Sequence, residues 1–131
     1  MTIGELEKQI RIIVLDTDED KPRFMPTEVF YAIGEAMKQT RRFRSESRYV
    51  KGHLNDNLLV VDGNETGFEI PASTDAAIAA FRNAKANMEE TWMDAIIFHS
   101  VHRLLLKDDP DTANAKLSET YYKKFLTVVQ G

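Results

Sequence analysis

Between Pro71 and Pro110 the chain contains neither glycine nor proline. Across that stretch Ile78, Phe81, Met88, Trp92, Ala95, Ile96 and Leu105 recur at spacings that keep apolar side chains on a helical face. The pattern therefore predicts helix, either one long helix or two. The polar run "RNAKANMEE" favours a joint, giving helices at about 74–88 and 90–107 with Ser73 or Thr74 as the first cap.

The flanking segments extend this reading. Ile3, Leu6, Ile10 and Ile13 follow the three-four spacing, and Thr2 with Glu5 has the form of a capping box, so a helix is expected over about 3–15. "DTDEDKPRFMP" reads as a loop. Pro26 suits a first helical turn, where its missing N–H would be unpaired anyway, and a helix over about 27–44 uses Val29, Phe30, Ile33 and Met37 as its inner face. Gly34, at mid-helix, costs about 1 kcal/mol relative to alanine and points to a close helix crossing.

"NLLVVDGNETGFEIP" has a β-branched run, a turn around "DGN" and a second short strand, which predicts a β-hairpin at about 57–70. Two strands alone are marginal in water, so a helical layer or a neighbouring subunit must support them. Pro110 ends the long helical stretch. Asp111 or Thr112 can cap a last helix over about 112–129, with Ala113, Leu117, Tyr121, Phe125 and Val128 or Val129 along one face. The fold class expected is mainly α: a single domain over 1–131, a bundle of four to five helices with a small β-hairpin insertion.

Composition narrows the chemistry. With 131 residues, 43% apolar and 29% charged, the chain is long enough for one core and ordinary for a globular protein. No apolar run approaches the roughly 18 residues of a membrane span, and the opening residues lack the form of a signal peptide, so no membrane partner and a cytosolic site of synthesis are expected. The absence of cysteine rules out disulfides and thiolate chemistry. Charge is unevenly spread. Lys38, Arg41, Arg42, Arg44, Arg48 and Lys51 stand against Glu46 alone, while Asp16, Asp18, Glu19 and Asp20 form an acidic loop.

His99 and His102 lie one helical turn apart, a spacing that can share a metal, but "HSVH" lacks the glutamate of the zinc-protease pattern. The simpler expectation is one histidine at the core edge, held by a hydrogen bond, and one in solvent. A calcium loop starting at Asp16 fails because Lys21 stands where the turn needs glycine and Thr27 where a bidentate glutamate belongs. In "DDPD", Asp111 fits a cap, and Asp108 and Asp109 need only solvent or a basic partner. Glu89, Glu90 and Asp94 read as a solvated polar face. No metal, cofactor or catalytic group is expected, and the reading is non-enzymatic.

Two segments, "IRIIVLDTDEDKPRFMPTEVFYAIGEAMKQTRRFR" and "WMDAIIFHSVHRLLLKDDPDTANAKLSETYYKKFLTVV", resemble the head-to-tail adaptor (connector, or head completion) proteins of tailed bacteriophages. In the second, an aromatic and aliphatic helix, an Asp-bearing break at Asp108, Asn114 with Ala115, and a final helix carrying Tyr121, Tyr122 and Phe125 are similar to the family's pattern. Residues 52–88 do not match, since longer members have more strand structure there. The resemblance implies a structural virion protein of the neck, assembled in the host cytoplasm as a ring, twelvefold in the virion. It would sit between the portal protein and a tail or tail-hub (stopper) protein, with double-stranded DNA passing through the lumen without specific binding. Interface candidates are Arg41, Arg42, Arg44, Arg48 and Lys51 of the basic segment, and Tyr121, Tyr122 and Phe125. An alternative reading of the basic segment 38–51 is a small helical nucleic-acid-binding regulator whose cations neutralise phosphates.

Overall fold

A computed structural model describes residues 1–16, 20–44, 49–50, 53–54, 58–61, 64–86, 88–108 and 112–131. The protein is mainly α. In chain order the elements are α1 (Ile3–Ile13), α2 (Pro26–Phe43), β1 (Tyr49–Val50), β2 (His53–Leu54), β3 (Leu58–Val61), β4 (Asn64–Gly67), α3 (Asp75–Asn83), β5 (Lys85–Ala86), a 3-10 turn (Glu90–Trp92), α4 (Met93–Asp108) and α5 (Thr112–Gln130).

Helix α1 starts at the capping box: the Glu5 amide donates to Thr2 Oγ1 at 3.1 Å, and the Thr2 amide donates back to Glu5 Oε1 at 3.4 Å. Ile3, Leu6 and Ile10 are completely buried along its inner face. The helix stops at Ile13, two residues short of the expected end, because Leu15 adopts a left-handed conformation with φ 59°. The Leu15 amide then donates to the Ile12 carbonyl at 3.2 Å and the Asp16 amide to the Arg11 carbonyl at 2.7 Å, the paired bonds of a Schellman ending. Glycine normally occupies that position. A leucine there costs about 1–2 kcal/mol.

What holds the strained corner is the carboxylate that follows it. Asp16 is 5% exposed and accepts from the Arg23 amide at 2.6 Å, the Phe24 amide at 3.0 Å and the Arg11 guanidinium. Arg23 returns a bond to the Val14 carbonyl at 2.9 Å, and Arg11 another to the Phe24 carbonyl at 2.9 Å. Phe24 is thereby fixed in the core at the entry to α2. Glu7, also buried, extends the network by accepting from Arg11 at 3.0 Å and from Arg82 of α3 at 2.6 and 3.1 Å.

Helix α2 buries Val29, Phe30, Ile33 and Met37 as its periodicity requires. Gly34 marks a close approach, but to an aromatic ring and not to another helix. A Cβ at this position would lie 2.7 Å from the Phe68 ring, which comes from the segment after β4. Phe68 in turn packs edge-on against Phe81 at 5.3 Å, and Phe81 against Phe30 at 4.7 Å. The hairpin is thus fastened to the helices by a chain of three rings.

The stretch 74–107 is two helices, and the joint between them is a strand. Helix α3 ends at Asn83; Lys85 and Ala86 then pair with Val60 and Leu59, giving a sheet of order β4-β3-β5. Thr2 bridges Lys85 on the other side, with the Ala86 amide donating to the Met1 carbonyl and the Ile3 amide to the Ala84 carbonyl. Helix was expected to continue to about 88. Backbone groups of β3 and of the chain start, left without partners by a continuous helix, are satisfied by breaking it. β1 and β2 form a separate short ladder.

Helix α4 is the central helix, in contact with α1, α2 and α5. It buries Ala95, Ile96, Ile97, His99, Ser100, Val101, Leu104 and Leu105, more than one stripe, as a helix covered from several sides must. The main core joins α1, α2, α3, β3 and α4, while Ala95, Phe125 and Val129 form a second, smaller cluster between α4 and α5. No helix of the described residues is long and apolar enough to cross a membrane.

Asp16→Ala leaves the Arg23 and buried Phe24 amides without their acceptor and removes one of the three acceptors of the Arg11 guanidinium. It is expected to destabilise the fold by about 3 kcal/mol, read as a shift in the urea midpoint at unchanged slope. Asp16→Asn, which keeps an acceptor oxygen, should lose markedly less.

Candidate functional site

The features singled out in the sequence converge on the α4–α5 hairpin and the end of α2. The two histidines lie at the centre of this seam. His99 is 6% exposed; its ring packs edge-on against Phe125 at 4.8 Å and Tyr122 at 6.2 Å, and its Nδ1 has no hydrogen-bond partner. His102 is half-buried and bonded instead. Its Nδ1 lies 2.9 Å from Ser118 Oγ and 3.0 Å from the Ser118 carbonyl, while the Ser118 hydroxyl donates to the His102 carbonyl at 2.8 Å. Since the hydroxyl has one proton and gives it to a carbonyl, an Nδ1–H tautomer of His102 satisfies the set. The hydrogen bond expected for the core-edge histidine therefore belongs to the more exposed one.

Ser118 also shifts the register of α5. The apolar face expected there included Leu117 and Tyr121, but Leu117 is exposed and the buried positions are Ser118, Phe125 and Val129. A serine faces inward because His102 supplies both a donor and an acceptor for it.

Protonation of this seam is opposed from several directions. Burial holds the His99 imidazole down to about pKa 4, with further contributions from His102 and Arg103. His102 is also lowered, first by burial and then by Arg103, against the opposing effect of its Ser118 bond. Among the described residues no group of three or more His, Asp or Glu side chains could hold a metal ion. His99 packs among rings, and His102 is hydrogen-bonded across the seam to Ser118.

The expected interface residues divide by burial. Phe125 is completely buried, against His99, Tyr122 at 5.9 Å and Phe43 at 5.8 Å. Arg41 is 1% exposed, on the inner face of α2 beside Thr40. Neither is presented to a partner by this conformation. Arg44 is half-buried; its Nε donates to the Val129 carbonyl at the end of α5, where a cation also complements the helix dipole, and its guanidinium lies 5.8 Å over the Trp92 ring. Arg42 is exposed. Tyr121 and Tyr122 are half-buried, Tyr121 under the Lys124 ammonium at 4.9 Å and Tyr122 against His102 at 4.8 Å. Arg48, Lys51, Asp109 and Asp111 lie outside the described residues, as do the side chains of Asp108 and Asn114.

The sequence reading missed three exposed apolar residues at the α1–α2 corner, Ile12, Leu15 and Met25. A signal was present: after Ile13 the expected helix has no glycine where a Schellman ending wants one. Also missed was a pocket of about 120 Å³ between α2 and the Phe68–Ile70 segment, lined by Tyr31, Gly34, Glu35, Lys38, Phe68 and Ile70.

Comparison with family models, curated proteins and solved structures finds no match for the chain.

Because the folded-state pKa of His99 is below its unfolded value of 6.5, the unfolded chain binds the extra proton between these values. The stability carried by the neutral imidazole is complete above about pH 6.5 and is lost as pH falls toward 4, by at most about 3 kcal/mol. Chemical unfolding at a series of pH values should show that slope. His99→Leu should flatten it below pH 6.5 while leaving stability at neutral pH within about 1.5 kcal/mol.

Proposed function

We propose that this chain is a structural adaptor of a tailed-phage neck, forming a ring between the portal and the tail around the DNA channel. The observation that carries the reading is where the two adaptor-like segments fall. One begins at Ile10 and takes in the last turn of α1 and all of α2, the other forms α4 and α5, and these pack into a joined helical unit through α1, α2 and α4. The part without likeness supplies most of α1, β1 to β5 and α3. The likeness thus follows α2, α4 and α5 and ends where the β insertion begins, the pattern expected when a shared framework carries a variable connection.

The regulator reading loses support from the same geometry. Phosphate contact needs cations in solvent, yet Arg41 is buried and Arg44 is tied to the Val129 carbonyl. Lys38 and Arg42 remain exposed in that segment of the described chain. The acidic balance of −4 suits a lumen through which DNA slides without being held.

Portal and major capsid genes beside this one are expected. Purified chain mixed with that portal should give rings in negative-stain images, and a species that shows no portal affinity at any concentration would count decisively against the neck. Arg42→Glu should weaken portal-bound assembly while moving the monomer's stability by less than about 0.5 kcal/mol. Duplex DNA binding at low salt should be weak; tight binding that falls steeply with added salt would favour the regulator instead.

A further inference from the structure

We draw no further inference here: the strongest candidate, the exposed apolar patch of Ile12, Leu15 and Met25 at the corner between α1 and α2, carries none, because nothing in the structure shows what covers it.

Discussion

Lys85 and Ala86 are the residues through which the separate parts of this protein become one structure. Their backbone pairs with β3 on one side and with the start of the chain on the other, while α3 ends just before them and the 3-10 turn leading to α4 begins four residues later. A two-stranded hairpin is marginal in water. With β5 as its third strand and the Phe68–Phe81–Phe30 ring contacts beneath, it becomes part of the helical core. The cost is a break in a stretch that could have continued as helix. It is offset because partnerless buried backbone groups each lose more than a helical residue gains.

How much of this was legible in the sequence depends on whether a residue's environment is set by near or distant neighbours. Val29, Phe30, Ile33 and Met37 follow from period alone, as does the inner position of Arg41, one turn past Met37. Reading Arg41 as an interface candidate gave its charge more weight than its phase. Phe125 presents the same conflict: it fell on the expected inner face of α5, and the structure buries it there. Ser118 and Leu117 exchanged roles for a reason no local pattern contains, since the partner that draws Ser118 inward is His102, on another helix. Asp16 looked like one more acid in an acidic loop. Its burial depends on two amides and a guanidinium arriving together from the far side of that loop.

The seam between α4 and α5 sets its two histidines among rings and a serine. A metal would need a third ligand and a polar pocket; His99 has Phe125 and Tyr122 as its walls, and Nδ1 of His102 faces Ser118. What the pair supplies is a packed, neutral surface that closes a small secondary core of Ala95, Phe125 and Val129. Tyr121 and Val128 of α5 also pack against the larger core, so α5 is held to α4 through both clusters. Arg44 also binds the last turn of α5 at the Val129 carbonyl.

The α1–α2 corner carries the opposite balance of forces. The described side chains beside Leu15, those of Arg11, Asp16 and Arg23, are hydrogen-bonded, while the Leu15 side chain is in water and its backbone is strained. Folding stability alone would favour glycine or asparagine at that position, by about 1 kcal/mol or more. A leucine gains nothing there within the monomer, where its side chain meets water instead of a neighbour. The position is fixed by what comes next: the left-handed turn at Leu15 brings Asp16 to the Arg23 and Phe24 amides and the Arg11 guanidinium. The strain at Leu15 is thus offset by the hydrogen bonds that Asp16 makes.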